Sequence, residues 1–343
     1  VLWVLLMVAI VMLQTTIVYA DDIDEEEWKE NEIQQVVVET AGETVDEPVI
    51  NSKAAVIYDR ETKQVLWGKK EMERRAMAST TKIMTAIVVL ENTNLSDVVT
   101  ISKKAANTGG SVLHINTGDK ITVLHLLYGL LLRSGNDAAV ALAEYVGENV
   151  EGFATMMNQK AKELNLENTH FVTPHGLDNE DHYTTAYELA LLTDYALQNE
   201  IFKTIVNSKT ATITINGVNR VLYNTNELLG NLTGVDGVKT GFTGNAGRCL
   251  VTSTTRNGKQ IIVVVLGADT KKQRTQDSIK LIEYAFKNFE TIDLETKIEK
   301  EFEKWKQINQ KRIYIYKAKD KLIELQLGNL KKDKFTIRKG EEN

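Results

Sequence analysis

Cysteine is almost missing from this chain: Cys249 is the only one in 343 residues. No disulfide can close within the chain, so a packed core must carry its stability. Basic residues are not clustered and the net charge is -6, which removes the phosphate-neutralising surface that nucleic-acid binding relies on. Nucleic acid is therefore not an expected partner. His170, His175 and His182 fall close together, but no H-E-x-x-H or similar ligand spacing occurs, and neither a metal nor a cofactor is expected. The sequence also lacks a G-x-S-x-G elbow and a glycine-rich phosphate loop. A histidine-based triad and nucleotide chemistry both lose support.

What is present points to a globular protein, with 43% apolar residues, enough for one large domain or two unequal ones. Residues 1–20, VLWVLLMVAIVMLQTTIVYA, form an apolar run ending in the small-residue site Val18-Tyr19-Ala20, which reads as a signal peptide. An uncleaved N-terminal anchor is the alternative, and either places the rest outside the cytoplasm. Residues 21–51 read as an acidic, solvated linker, with Lys29 the one basic residue before Pro48. Order is expected from Ser52, where Ala54-Ala55-Val56-Ile57-Tyr58 and Gln64-Val65-Leu66-Trp67 flank a polar turn and predict a hairpin.

Helical spacing of apolar residues then predicts helices over Ser79–Glu91, Val123–Arg133, Asn136–Val146, Phe153–Leu164 and Thr185–Leu197. From Thr210 the period changes. Thr210–Ile215, Val221–Tyr223, Gly237–Thr243, Leu250–Thr255 and Ile261–Gly267 are rich in β-branched residues, and Asn257-Gly258 marks a two-residue turn. A closing helix is expected over Ser278–Phe289. Strands, then helices, then strands of the same sheet imply an α+β domain over residues 52–289. Residues 290–343 are charged, and Arg312-Ile313-Tyr314-Ile315-Tyr316 and Lys321-Leu322-Ile323-Glu324-Leu325 alternate. They read as a small C-terminal β-rich module, incomplete as it stands.

Three short motifs occur in order: Ser79-Thr80-Thr81-Lys82, Ser134-Gly135-Asn136 and Lys239-Thr240-Gly241. Each is weak alone, but S-x-x-K, S-D-N and K-T-G together mark penicillin-binding proteins and class A β-lactamases. Residues three apart share a helical face, so Lys82 can reach the Ser79 hydroxyl. A serine becomes a good nucleophile when a base takes its proton, and a lysine serves as that base when burial and nearby cations favour its neutral form. Lys239 is the candidate neighbouring cation. Taken singly, the three motifs have blander readings: Ser79 as a helix N-cap, Ser134 and Asn136 as a capping turn, Lys239 as a solvated lysine at a surface turn.

With Asn168-Thr169-His170-Phe171, Pro174-His175-Gly176-Leu177, Ser134-Gly135-Asn136-Asp137-Ala138 and Asp236 to Thr243 added, the chain resembles the serine-type D-alanyl-D-alanine carboxypeptidases, the low-molecular-mass penicillin-binding proteins, from about Ser52 to Phe289. The Ser-Gly-Asn triplet favours this family over a class A β-lactamase. The resemblance implies a β-lactamase/transpeptidase-like domain, an antiparallel sheet flanked by helices with a helical subdomain. It also implies removal of the terminal D-alanine from peptidoglycan stem peptides, covalent inhibition by β-lactams, and a part in cell wall biogenesis and cell shape. Ser79 would be the nucleophile, Lys82 the base and Ser134 the proton relay. Asn136 would hold the substrate amide, Lys239, Thr240 and Gly241 would line the carboxylate end, and the N–H groups of Ser79 and Phe242 would form the oxyanion hole. Arg220 is the nearest candidate for a further carboxylate-binding arginine. His175 belongs to a structural loop in that family, and Glu163 is read as a helix end rather than a deacylating glutamate. A membrane surface is a further partner that the family implies.

Overall fold

The computed structural model describes residues 32–37, 47–315 and 334–339. Its centre is a five-stranded antiparallel sheet whose strands, from edge to edge, are Gln64–Lys69, Ala54–Asp59, Lys259–Ala268, Gly247–Arg256 and Val235–Thr243. Strands β1 (Ala54–Asp59) and β2 (Gln64–Lys69) form the N-terminal hairpin. The chain then leaves the sheet for a helical region built on α1 (Lys82–Asn92), with β3 (Val98–Thr100), α2 (Lys103–Ala106) and β4 (Lys120–Thr122) beside it. Helices α3 (Val123–Leu132), α4 (Asn136–Gly147), α5 (Val150–Glu163), α6 (Ala186–Ala196) and α7 (Glu200–Val206) follow. Hairpin β5 (Thr210–Ile215) with β6 (Val218–Tyr223) stands as its own two-stranded sheet. Strands β7 (Val235–Thr243), β8 (Gly247–Arg256) and β9 (Lys259–Ala268) return to the centre, and α8 (Lys271–Asn288) closes the fold.

The sheet is covered on both faces, which is why β1 and β9 read as unbroken apolar runs. Ala54, Val56 and Tyr58 of β1, with Ile262, Val264 and Leu266 of β9, face the helical region. The alternate residues Ala55, Ile57, Ile261, Val263 and Val265 face Ile279, Leu281 and Ile282 of α8. Successive strand side chains point to opposite faces, so continuous burial of a strand requires a layer on each side. Helix α1 is buried from Lys82 through Val89, the pattern of a helix surrounded by protein. Ser52, just ahead of β1, is tied to α8: the Asp277 carboxylate accepts from its N–H at 2.7 Å and its hydroxyl at 2.5 Å. Asn257 and Gly258 both have positive φ, 51° and 82°, as the tight turn between β8 and β9 requires.

Two expectations are corrected at the ends. The acidic segment is not solvated throughout: residues 32–37 are helical, and Ile33 and Val36 are buried with Ile50, Leu228 and Leu250. Their i, i+3 spacing builds an apolar face that overall composition conceals. At the other end, Leu294–Ile315 is a helix, α9, where Arg312 to Tyr316 reads as a strand by alternation. Ile298, Phe302 and Trp305 repeat at helical spacing among Glu and Lys, which are good helix formers. The β character there is a two-stranded sheet of β10 (Phe289–Asp293) with β11 (Lys334–Arg338). The segment Lys321 to Leu325 and the leader-like residues 1–20 lie outside the described residues. No helix among the described residues is long and apolar enough to cross a membrane.

Candidate active site

Ser79 sits in a single 3₁₀ turn, Ala78–Thr81, that runs directly into α1. It is not the N-cap: that place falls to Thr81, and no side chain caps the helix. Both threonines of the turn bond backward, Thr80 Oγ1 to Met77 O at 2.5 Å and Thr81 Oγ1 to Ala78 O at 2.7 Å. Ser79 is thereby left as the residue of the turn that keeps solvent access while Ala78, Thr80 and Thr81 are buried. Ala78 has φ +49°, a left-handed conformation that costs a residue with a Cβ on the order of 1 kcal/mol. Neighbours hold it there. A Cβ on Gly176 would stand 1.9 Å from Ala78 O, and one on Gly241 3.0 Å from Ser79 N. The Pro174-His175-Gly176-Leu177 loop and strand β7 therefore close on the turn from two sides, each through a glycine that gives way to backbone.

Lys82, with 0% exposure, follows on the first turn of α1. Its Nζ reaches Ser79 Oγ at 2.7 Å, Asn136 Oδ1 at 2.8 Å and His175 O at 2.9 Å. These oxygens hold the nitrogen against the Ser79 hydroxyl. Asn136 opens α4 and is itself held, its N–H on Ser111 O at 2.7 Å and its Nδ2 on Gly109 O at 2.8 Å. Ser134 lies two residues before it in the α3–α4 turn, buried, with φ +61°. Asp137 ties this turn to the facing loop by accepting from the N–H groups of Leu113, Ile115 and Ala138. Burial pushes its carboxyl pKa up, and those N–H groups oppose the shift.

Strand β7 brings the third motif. Lys239 and Thr240 are both buried; Lys239 Nζ donates to Thr240 O at 2.9 Å, and Thr240 Oγ1 lies 2.7 Å from Thr225 Oγ1. β7 is an edge of the central sheet, paired on one side with β8. The Arg248 guanidinium of β8 stacks on the Phe242 ring at 3.7 Å. Asp178, at the end of the Gly176 loop, accepts from Thr243 Oγ1 at 2.5 Å and Asn245 N at 3.1 Å, so the loop and the end of β7 are one unit.

The structure brings Lys82 into direct contact with Ser79 and Asn136 and packs Gly241 against the Ser79 turn. Arg220 stands apart: it lies on β6, and its Nη1 donates to Leu113 O at 3.0 Å and His114 O at 3.4 Å. Its contacts pin the same loop that Asp137 holds. Thr225 and Asp178 escaped sequence reasoning, since nothing local in either stretch marks it. His175 was read as structural. Burial and the Lys82 charge hold its imidazole down at about 3, and its backbone carbonyl is what meets Lys82. Glu163 is the last residue of α5 and pairs with Lys160 at 2.8 Å.

The family model for D-alanyl-D-alanine carboxypeptidase, peptidase family S11, matches residues 41–270. The chain belongs to the D-alanyl-D-alanine carboxypeptidase family. Among curated relatives, the D-alanyl-D-alanine carboxypeptidase DacF of Bacillus subtilis is 39% identical over 259 residues, covering 74% of this chain and 67% of the relative. DacC of Escherichia coli is 38% identical over 268 residues, 74% of this chain and 65% of the relative. The chain thus spans about two thirds of the length of these D-alanyl-D-alanine carboxypeptidases. The solved Streptomyces K15 DD-transpeptidase superposes with TM-score 0.68 at 38% identity, over 71% of this chain and 100% of that one. The shared fold is the β-lactamase/transpeptidase type, as its helix-flanked antiparallel sheet implies.

Proposed function

We propose that the chain removes the terminal D-alanine from peptidoglycan stem peptides through a Ser79 acyl-enzyme. The observation that carries this is the 2.7 Å contact between Ser79 Oγ and the buried Lys82 Nζ, inside a turn closed by β7 and the Gly176 loop. Lys82 in its neutral form takes the hydroxyl proton as Ser79 Oγ attacks the carbonyl of the penultimate D-alanine. The developing oxyanion lies between the N–H groups of Ser79 and Phe242; Gly241, whose missing Cβ lets β7 approach Ser79 N, supports that arrangement. Ser134 relays that proton from Lys82 to the departing nitrogen, so D-alanine leaves as the amine, the acyl group stays on Oγ and Lys82 is neutral again. Water, deprotonated by Lys82, then attacks the acyl carbon, and the proton returns to Ser79 Oγ as the ester bond breaks and the shortened peptide leaves. Asn136 holds the substrate amide, and Lys239 and Thr240 receive the terminal carboxylate. Arg220 shapes the loop over this end of the cleft through Leu113 O and His114 O rather than meeting the carboxylate itself.

β-Lactams, which present a strained amide and a carboxylate in the same relation, acylate the same oxygen. The peptidoglycan substrate and the leader-like residues 1–20 both support an extracytoplasmic site of action, and the 52–289 unit is the catalytic domain. The test is mass spectrometry of the protein after fluorescent penicillin, beside D-alanine release from a pentapeptide. The wild type is expected to carry one adduct, on the peptide containing Ser79, and to release D-alanine; Ser79→Ala is expected to do neither. An adduct surviving in Ser79→Ala overturns the assignment.

A further inference from the structure

We infer that His182 is a positioning residue for the oxyanion hole, setting through Thr81 the peptide plane that carries the Ser79 N–H. The inference rests on Ser79 being the nucleophile. His182 comes 101 residues after Thr81 in sequence yet is buried against it, with Nε2 2.7 Å from Thr81 Oγ1.

The direction of each proton is determined by the partners. Nδ1 of His182 lies 2.9 Å from the N–H of Val172 and 3.4 Å from that of Thr173. A backbone N–H only donates, so Nδ1 accepts and the ring proton resides on Nε2. Nε2–H therefore donates to Thr81 Oγ1, and the threonine's own proton goes to Ala78 O at 2.7 Å. Ala78 O and Ser79 N belong to one planar peptide unit, so fixing the carbonyl fixes the direction in which the Ser79 N–H points. That unit needs fixing because Ala78 is held at φ +49°. Gly176 limits it from the other side, since any Cβ there would reach 1.9 Å from Ala78 O and 2.5 Å from Thr81 Oγ1.

The surroundings keep the ring in the state this chain of bonds requires. Burial, His170 and Lys82 disfavour a second proton, Asp178 opposes them, and the balance holds His182 at about 4. The Phe171 ring meets it edge-on, with centroids 5.7 Å apart. A cationic ring would turn Nδ1–H toward the Val172 N–H and break the order of donors.

The test compares two substitutions in the full chain that each remove one of the two ring contacts. His182→Asn retains an acceptor for Val172 and loses the reach to Thr81; His182→Gln retains a donor for Thr81 and gives up the Val172 bond. Penicillin acylation and pentapeptide turnover are measured, with melting temperature recorded for each. Asn is expected to lower kcat about 10- to 100-fold with KM little changed, because an oxyanion donor acts in the transition state; Gln is expected to stay within about threefold of wild type in the same comparison. Thr81→Val, which keeps shape and removes the hydroxyl, should match Asn and reads the same step if Asn does not fold. Equal loss in Asn and Gln, a KM effect without a kcat effect, or folded Thr81→Val acylating at the wild-type rate overturns the inference. Labelling that persists in Ser79→Ala instead removes the nucleophile assignment on which it rests.

Discussion

Two imidazoles, His182 buried and His175 half-buried, feel the Lys82 charge, and their lowered pKa values keep both rings neutral near neutral pH. His175 is held at about 3 and His182 at about 4, against an ordinary value of 6.5, chiefly by burial and with the Lys82 charge adding to it. The sign of the effect on stability follows from where the protons go. Above pH 6.5 both rings are neutral whether the chain is folded or not, and their contribution is fully present. As pH falls toward 4 the unfolded chain binds protons that the folded one refuses, so stability drops by up to about 1.4 kcal/mol per pH unit for each ring. In calorimetry from pH 7 to pH 4, the melting temperature of His182→Gln is expected to fall less steeply than that of the wild type. Parallel curves would show that His182 does not bear that burden. Lys82 and Ser79 were legible from spacing because three residues along a helix bring side chains together whatever surrounds them. His182 was not, because its partner Thr81 is 101 positions away.

At the scale of elements, the site depends on how closely β7 approaches the Ser79 turn. The Cβ of an alanine at 241 would stand 3.0 Å from Ser79 N and 3.2 Å from both Ala78 Cβ and Thr80 N. Two of these atoms are backbone and the third is fixed to it, so no flexible side chain can yield. Gly241→Ala is expected to part the strand from the turn, costing about 1–3 kcal/mol of stability and slowing penicillin acylation by about tenfold or more as an oxyanion donor is displaced. Unchanged acylation kinetics in a folded variant would show that the two elements need not touch. The glycine of K-T-G was visible in the sequence. Which backbone approaches was not visible, because that is a matter of packing β7 on a turn some 160 residues earlier. Arg220 makes the complementary point. Proximity to K-T-G along the chain suggested a carboxylate ligand, whereas the separate β5–β6 hairpin carries it to the carbonyls of Leu113 and His114.

Across the whole molecule the sheet separates chemistry from anchoring. β7 with the site lies at one edge and β2 at the other, four strand spacings or about 19 Å apart. Beside β2, the C-terminal strand β11 docks through Thr336, whose Oγ1 donates to the buried Asp59 Oδ2 at 2.7 Å and whose N–H meets Gln64 Oε1 at 2.7 Å. Lys259 Nζ stands 3.3 Å from the same Asp59 oxygen. Thr336→Val is expected to cost about 1–3 kcal/mol by leaving a buried carboxylate oxygen short of a donor, with penicillin acylation unchanged. Denaturant melts and a labelling time course read the two separately, and a loss of acylation at full stability would show that the two edges are coupled.

The sequence alone determined that the chain is α+β and where most strands and helices lie, and its motifs singled out Ser79, Lys82, Ser134, Asn136 and Lys239. Apolar periodicity and i, i+3 spacing are local properties that survive any arrangement of the elements. Tertiary structure decided what no local pattern encodes. It packed the 32–37 helix and β11 onto the fold around the central sheet, set β7 and Gly176 against the strained turn, and engaged Arg220 with a loop. It also joined Thr225 to Thr240 and His182 to Thr81. Each of these joins groups distant in sequence or turns on burial, which belongs to the folded chain as a whole.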